Sequence, residues 1–233
     1  MTVLKRFAAP EFWPVEKKTK KFVIGPKPGP HAKSECIPTG LIIRDILKYS
    51  RNSRETSALL KKGIVKVDQR VRNEPGFPVG LMDIFSLGNE HYRIIPSKKG
   101  LKLSKIGENE ANTKLCRIED KKCIGKKVQL NLHDGRNMLV DKDDYKTGDT
   151  LVINLEKNAI KDVIRMKKGS LGMIVSGRNA GMLGKIDDII ITRSQQPNKV
   201  VMKIDDKPYE VSKDYVFVVG HDKPVINLGE FNA

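Results

Sequence analysis

Lysine and arginine side chains are concentrated between residues 51 and 72, where they could bind phosphate groups. The basic residues of this stretch are Arg51, Arg54, Lys61, Lys62, Lys66, Arg70 and Arg72. Arginine suits such a site because its planar guanidinium donates paired hydrogen bonds to a phosphate and also stacks on flat rings. Each residue alone could equally be an ordinary solvated charge. The cluster as a whole favours an anion-binding surface.

The whole sequence carries an excess of positive charge. It has 233 residues, with 44 Lys and Arg against 28 Asp and Glu, and a formal net charge of +16. A pI near 9.7 indicates a polyanionic partner. The excess lies in residues 1–168, whereas residues 169–233 hold as many acidic as basic side chains. Because each basic contact to a phosphate releases counterions, we expect the first two thirds of the chain to bind the polyanion.

Residue types that support catalysis or metal binding are sparse. The cysteines Cys36, Cys116 and Cys123 are odd in number and form no Cys-x-x-Cys pair, so we expect reduced, structural thiols without metal. The four histidines are scattered, and Gly184-Lys185 lacks the neighbours that a P-loop needs. No run of about 18 apolar residues could span a membrane. The sequence therefore predicts no enzyme, no cofactor, no membrane partner and no small-molecule substrate.

Residues 1–38 must position the first basic residues. They show no sustained periodicity and contain six prolines. Because each proline fixes φ and biases the preceding residue away from the helix, we expect an extended basic N-terminal arm. Aromatic and aliphatic residues between its lysines indicate an arm that becomes ordered on a partner. A flexible tail with incidental aromatics is the alternative.

Residues 39–92 are expected to form a small module of helices and a hairpin. Two short helices are predicted over residues 39–62. Asn52 followed by Glu55 resembles a capping box, and Gly63 stands where a helix would end. Alternating apolar residues predict strands at residues 64–68 and 81–87.

Short strands separated by turns continue from there. Turn residues recur every 8–12 residues or so, which is typical of small antiparallel barrels. We therefore expect a central antiparallel β-barrel-like domain over residues 93–168 and a second barrel over 169–220. Residues 221–233 are assigned to a C-terminal tail.

Residues 52–87 resemble the small RNA-binding module first known from the bacterial small-subunit ribosomal protein four. The resemblance covers the helix pair, Ser53-Arg54, Gly63, the strand at 64–68 and the close at Gly80 and Asp83-Ile84. One departure is Gln69, because the family turn usually carries glycine there.

Residues 169–192 resemble the KOW motif of ribosomal proteins and transcription elongation factors. Gly177, Gly181 and Gly184 would allow a tight loop with Arg178 and Asn179 at its tip. The glycines could also serve the fold alone.

Both modules in this order, with further matches over about residues 3–229, resemble the eukaryotic and archaeal small-subunit ribosomal protein four family. The further matches include Leu4-Lys5-Arg6-Phe7-Ala8-Ala9-Pro10, Gly29-Pro30-His31, His133-Asp134-Gly135-Arg136 and Lys146-Thr147-Gly148-Asp149-Thr150. The family implies a structural constituent of the small subunit that binds rRNA and neighbouring ribosomal proteins. It also implies a cytoplasmic location, with a nucleolar assembly phase in a eukaryote. Members commonly continue into a basic C-terminal helix, whereas this sequence ends at Ala233.

Two rival functions belong to other classes. A KOW-containing transcription elongation factor would need an α/β polymerase-binding domain, for which residues 93–168 offer no convincing helices. An RNA-modifying enzyme would need a separate catalytic domain, for which the chain has no room.

The expected fold is multidomain α+β and mostly β: the arm, an S4-like module, a central β domain and an SH3-like KOW barrel. The residues expected to bind RNA are Lys5, Arg6, Trp13, Lys17, Lys18, Lys20, Lys21, Lys27, His31, Lys33, Arg44, Lys48, Arg51, Arg54, Lys61, Lys62, Lys66, Arg70, Arg72, Arg136, Arg178, Asn179 and Lys185.

Overall fold

The computed structural model describes residues 3–194, 196–204 and 207–228. The chain divides into two units. The first runs to Ile95 and includes Lys99–Asn112, and the second comprises Pro96–Lys98 and the chain from Thr113 onward. Antiparallel sheets dominate both units, as the sequence predicts.

The N-terminal residues of the first unit fold onto that unit. Strand β1 (Val3–Lys5) pairs antiparallel with β2 (Phe22–Ile24), and a 3-10 turn follows β1 at Arg6–Ala8. Trp13 is only 3% exposed and belongs to one hydrophobic core with Ile37 and Leu41. Ala9, Trp13 and Val23 of the predicted arm are buried in a core with residues 37–94, so this part of the chain does not extend freely away from the unit.

The two predicted helices are present, but the first has an unusual form. Helix α1 (Thr39–Leu41) continues directly as a π-helical segment (Ile42–Ile46), in which the N–H of Leu47 donates to the carbonyl of Ile42 at 2.9 Å. Helix α2 (Ser53–Lys61) follows. A 3-10 turn (Lys33–Glu35) and strand β3 (Cys36–Pro38) precede them, and β3 pairs with β6 (Pro78–Gly80).

A five-stranded antiparallel sheet completes the first unit, in the order β5-β4-β7-β8-β9. Its strands are β4 (Val65–Val67), β5 (Arg70–Val71), β7 (Ile84–Leu87), β8 (Glu90–Ser97) and β9 (Gly100–Ile106), and a 3-10 turn (Glu108–Glu110) follows.

Two sequence predictions in this unit are wrong. The strand expected at residues 81–87 is interrupted, because Met82 has φ +62° and the Asp83 carboxylate accepts the Gly80 N–H at 2.9 Å to close a turn. The module boundary expected between residues 92 and 93 falls inside β8. The boundary was misplaced because the pattern of apolar residues in β8 does not show to which sheet the strand belongs.

The second unit begins with a five-stranded sheet in the order β12-β11-β10-β13-β14. Its strands are β10 (Thr113–Ile124), β11 (Lys127–Leu132), β12 (Asn137–Val140), β13 (Thr150–Asn154) and β14 (Ala159–Ile164). The register of β10 shifts between Ile118 and Asp120, so its first half pairs with β13 and its second half with β11. Among the described residues β12 and β14 are the edge strands, and no strand pairing between them is found.

A second five-stranded sheet follows in the order β18-β17-β16-β15-β19. Its strands are β15 (Leu171–Ile174), β16 (Leu183–Ile190), β17 (Lys199–Ile204), β18 (Lys207–Ser212) and β19 (Val216–Gly220), with a 3-10 turn (Lys213–Tyr215) before β19. Ile226 and Leu228 are buried. Residues 229–233 of the predicted tail lie outside the described residues.

Candidate nucleic-acid interface

Helix α2 presents one basic face. Thr56 and Leu60 are buried, whereas Arg54, Ala58 and Lys61 are exposed. Residues spaced four and seven apart share a helix face, so Arg54 and Lys61 lie on the same side. Exposed Arg51 and Lys62 flank the two ends of the helix.

The start of this helix is fixed as predicted. The Asn52 side-chain oxygen accepts the Glu55 N–H at 2.9 Å, and the Glu55 carboxylate accepts the Arg51 N–H at 2.7 Å. At the other end Gly63 has φ +71°, the left-handed conformation that ends many helices. The N-cap at Asn52 and the helix end are therefore confirmed, whereas the returning bond of the Glu55 carboxylate goes to Arg51 instead of the Asn52 N–H of a standard capping box.

The hairpin of β4 and β5 adds Lys66 and Arg70. Val65 and Val67 are buried, so Lys66 between them points to solvent, and Arg70 pairs with Val67 across the hairpin. Its turn residues Asp68 and Gln69 have φ +50° and +63°, which is the type I′ conformation.

Gln69 adopts this conformation without being glycine because its side chain is anchored. Its amide donates to the carbonyl of Ala111 at 3.1 Å and to the side-chain oxygen of Asn112 at 2.8 Å. The Asp68 carboxylate accepts the Ile84 N–H at 3.0 Å. The turn at Asp68 and Gln69 is thus a regular hairpin turn, although glycine is missing at position 69.

Six basic side chains of the helix and hairpin are exposed and available to an anion. Within the described part of the chain no carboxylate forms an ion pair with any of them: Arg51, Arg54, Lys61, Lys62, Lys66 and Arg70. We call these six residues the helix–hairpin surface. Because their charges are not neutralised locally, they create a positive potential at the protein surface.

Other predicted residues near this surface have protein partners. Arg44 forms an ion pair with Asp45 at 2.7 Å, and Lys27 forms one with Glu74. The Arg72 guanidinium lies 4.2 Å from the ring centroid of Phe77. Exposed Lys48 has φ +59°. Partners within the protein therefore already hold the guanidinium groups of Arg44 and Arg72.

Two of the N-terminal predictions, Arg6 and Trp13, are corrected by the structure. Arg6 is buried, and its guanidinium donates to the carbonyls of Glu16 at 2.6 Å and Phe22 at 3.2 Å. The Trp13 indole N–H donates to the carbonyl of Cys36 at 2.8 Å. Both side chains are buried and hydrogen-bonded inside the protein, where they stabilise the fold.

Phe7 and Phe22 are exposed aromatic residues of this region, and the sequence prediction of RNA contacts included neither. Phe7 is 72% exposed and lines a groove of about 650 Å³ with Phe12, Lys17 and Lys33. The remaining predicted lysines, Lys5, Lys18, Lys20 and Lys21, are exposed as well. Phe7 differs from Trp13 in being exposed, and the sequence pattern does not indicate which of the two aromatic residues is buried.

His31 is another predicted contact with a structural role. Its Nε2 lies 2.9 Å from the Asp83 carboxylate, and its side chain is 5% exposed. A Cβ at Gly80 would come within 2.3 Å of the His31 ring, so glycine is required for this packing. The structure thus gives His31 a packing role inside the protein, and its contact with RNA stays an untested prediction.

Arg136 lies beside a buried ion pair in the central sheet. Its Nε is 3.3 Å from the carboxylate of Asp134, which also accepts a hydrogen bond from Lys114 Nζ at 2.9 Å. Burial alone would raise the pKa of Asp134, but the charges of Lys114, His133 and Arg136 outweigh it and lower the pKa to about 2. Half-buried Arg136 thus helps to balance an internal carboxylate.

The glycine-rich loop of the last sheet has the geometry that the sequence predicts. Gly177 and Gly181 have φ +93° and +87°, and Arg178 between them is exposed, with Asn179 half-buried. Lys185 is exposed but forms an ion pair with Asp222 at 2.8 Å. Arg178 is therefore the freer of the two cations.

The described residues contain no group of three or more potential metal ligands. Cys36 and Cys116 are buried and Cys123 is exposed. Burial, with Asp83 and Glu35 nearby, raises the pKa of the Cys36 thiol to about 12, so this thiol stays protonated at neutral pH. No described helix is long and apolar enough to cross a membrane.

Comparisons with known proteins agree with this picture. The RS4NT (NUC023) domain model matches residues 3–34, and the Ribosomal family S4e model matches residues 88–160. Small ribosomal subunit protein eS4 of Methanothermobacter thermautotrophicus is 44% identical over 230 residues, which cover 97% of this chain and 95% of that protein. The protein of the same name from Methanocaldococcus jannaschii is 44% identical over 237 residues, with 97% and 96% covered.

A solved structure supports the same relationship. The crystal structure of 30S ribosomal protein S4e from Thermoplasma acidophilum matches with a TM-score of 0.71 at 30% sequence identity, covering 80% of this chain and 95% of that one. The transcription elongation factor hypothesis finds no support in these relatives. Since the identity extends over nearly the whole of both chains, this chain belongs to the S4e family of small-subunit ribosomal proteins.

Proposed function

We propose that the chain is a structural constituent of the small ribosomal subunit, where it binds small-subunit rRNA and supports subunit assembly. The observation that carries the proposal is the helix–hairpin surface, whose six exposed cations have no carboxylate partner among the described residues. A soluble enzyme has no use for such a surface, whereas RNA binding releases a counterion at each phosphate contact. Membership in a ribosomal protein family supports the same function.

The modules have separate parts in this proposal. Residues 39–92 act as the S4-like RNA-binding module, extended by the strands that reach Ile106. The last sheet acts as the KOW domain and offers Arg178 at its loop tip. Phe7 and the N-terminal lysines form a further contact region, in which an aromatic ring beside lysines suits an unstacked base and its phosphate.

Neighbouring small-subunit proteins and rRNA are the proposed partners, and the cytoplasmic ribosome is the proposed location. In a eukaryotic source the chain would pass through the nucleolus during assembly. No catalytic step is part of the proposal.

Fractionation of ribosomes on sucrose gradients tests the proposal. The protein, tagged and expressed in its source cells, should sediment with small subunits, whole ribosomes and polysomes, and it should stay with small subunits after a wash in moderate salt. Recovery only in free fractions or with RNA polymerase would contradict the proposal.

A further inference from the structure

A buried carboxylate joins two separate segments of the second unit. Asp149 is buried, and its two oxygens accept the N–H of Lys146 at 3.0 Å and the N–H of Met166 at 2.9 Å. Lys146 precedes β13, whereas Met166 follows β14. One side chain therefore holds the turn before β13 against the linker between the two sheets.

A third segment, the 3-10 turn before β19, meets the other two at Gly148. Lys213 Nζ donates to the carbonyl of Thr147 at 3.2 Å. Gly148 has φ +95°, and a Cβ there would lie 3.1 Å from Lys213 Cε and 3.3 Å from Met166 Sδ. The close approach of the three segments thus depends on glycine at this position.

Further hydrogen bonds hold these segments in place. The Arg117 guanidinium donates to the carbonyls of Asp214 at 2.6 Å and Val216 at 3.2 Å, which ties the 3-10 turn to β10. The Ser170 hydroxyl donates to the carbonyl of Arg165 at 3.0 Å, which closes the linker. These hydrogen bonds link the backbone segments around the meeting point.

Each of the three segments brings a basic side chain to this place. Lys146, Arg165 and Lys167 are exposed and Lys213 is half-buried. Within residues 3–194, 196–204 and 207–228 no carboxylate forms an ion pair with any of the four. The acidic groups nearby include Asp149, which is buried and already accepts two backbone hydrogen bonds, and exposed Asp214 beside Lys213. Glu119 is ion-paired with Arg117, and Asp188 with Lys168.

We infer that Lys146, Arg165, Lys167 and Lys213 form a second phosphate-binding surface, the junction patch, through which the second unit contacts small-subunit rRNA. Cations on a hydrogen-bonded backbone bind phosphates at little entropic cost, and arginine adds a bidentate contact. The inference rests on the proposed function. It goes beyond that function by assigning RNA contact to the junction of the two sheets. One of the four cations, Lys213, comes from residues 169–233, whose net charge is zero.

The test uses the full chain with Arg165→Gln and Lys167→Gln together. A protein that loses one phosphate contact loses about 0.7–0.9 from the slope of log K against log salt. Two lost contacts should reduce the slope by about 1.4–1.8 and weaken binding about 20-fold at 0.15 M salt. The probe is small-subunit rRNA of the source organism, titrated from low to high salt.

The matched control is Lys207→Gln with Lys223→Gln. These two lysines are also exposed and lie in the same unit outside the patch, so the control removes the same net charge. It should leave the slope unchanged. Circular dichroism and thermal melting of both double variants verify that each is folded. If Arg165→Gln with Lys167→Gln melts at a lower temperature, the single variant Lys146→Gln replaces it and should lose one contact.

Three outcomes decide the inference. A slope that changes in the patch variant and not in the control supports it. Equal slopes in both, while Arg54→Glu with Lys62→Glu weakens binding, would overturn the junction patch and leave the proposed function standing. If the unmodified protein does not bind small-subunit rRNA in this titration, the proposed function itself fails.

Discussion

Charge reversal at Arg54 and Lys62 should weaken RNA binding without unfolding the protein. Both side chains are exposed and neither has an ion-pair partner among the described residues. Replacing exposed side chains away from packing usually changes the free energy of unfolding by less than about 0.5 kcal/mol.

The helix dipole makes this pair of substitutions nearly neutral for stability. Arg54 lies in the first turn of α2 and Lys62 is its C-cap residue. A glutamate in the first turn stabilises a helix by about 0.3–1 kcal/mol, and one at the last turn destabilises it by a similar amount. Because the two effects have opposite signs, the melting temperature of Arg54→Glu with Lys62→Glu should stay close to that of the unmodified protein.

The expected loss of affinity follows from counterion release. Each phosphate contact contributes about 0.8 to the salt slope, which at 0.15 M salt corresponds to about a five-fold gain in affinity. Loss of two contacts should therefore weaken binding by about 20-fold, and repulsion by the new carboxylates adds to this.

The assay is binding of small-subunit rRNA over a salt titration, with thermal melting of the same samples. Lys207→Glu with Lys223→Glu is the matched control, because it changes the net charge equally at exposed positions of the second unit. A double variant that melts normally and retains the full salt slope would refute the helix–hairpin surface. The exposed N-terminal lysines at positions 17, 18, 20 and 21 would then be tested next.

Three further predictions concern single residues. The pKa of Asp134 is lowered from 3.8 to about 2, so this group stabilises the fold by about 2 kcal/mol above pH 4 and the contribution is lost as the pH falls towards 2. Asp134→Asn should lower the free energy of unfolding by about 3–5 kcal/mol at pH 7 because it removes the carboxylate that buried Lys114 contacts. In urea unfolding, stability should fall less between pH 7 and pH 3 in this variant than in the unmodified protein. Trp13→Phe should lower the free energy of unfolding by about 1–3 kcal/mol, because the Cys36 carbonyl loses its indole donor, while leaving the salt slope of RNA binding unchanged. Phe7→Ala should leave thermal melting unchanged because the ring is 72% exposed, and it should weaken RNA binding by about 1–3 kcal/mol if a base stacks on it, as measured by equilibrium binding.

Local signals in the sequence predict the helix–hairpin surface well. The cap at Asn52, the left-handed glycine at Gly63 and the alternation around Lys66 each depend on near neighbours in the chain, and the structure confirms all three. The core that positions this surface includes buried Ile42, Val65 and Val67. Such features are predictable because their physical causes lie within a few residues.

Features that depend on distant partners were missed. Trp13 and His31 lie in a basic, proline-rich stretch that suggests an RNA contact, but their partners are the Cys36 carbonyl and the Asp83 carboxylate. The strand Thr150–Asn154 was missed although its first four residues are buried, because a short apolar run without alternation does not identify a strand. No pattern in the sequence states which carbonyl an indole will meet across the fold.

Net charge per segment is a poorer guide to the RNA surface than the pairing of individual charges. Lys185 and Lys203 face each other across β16 and β17, a like-charge arrangement that destabilises a sheet unless each charge is balanced. Lys185 pairs with Asp222 at 2.8 Å and Lys203 with Asp187 at 3.1 Å, so much of the neutrality of this segment comes from specific ion pairs. Other cations of the segment, such as Arg178 and Lys213, have no carboxylate ion-pair partner among the described residues although the segment sums to zero. A sequence segment with no net charge can therefore contribute to an RNA-binding surface. Whether a cation lacks a carboxylate partner within the fold is a better criterion for RNA contact than the local excess of lysine and arginine.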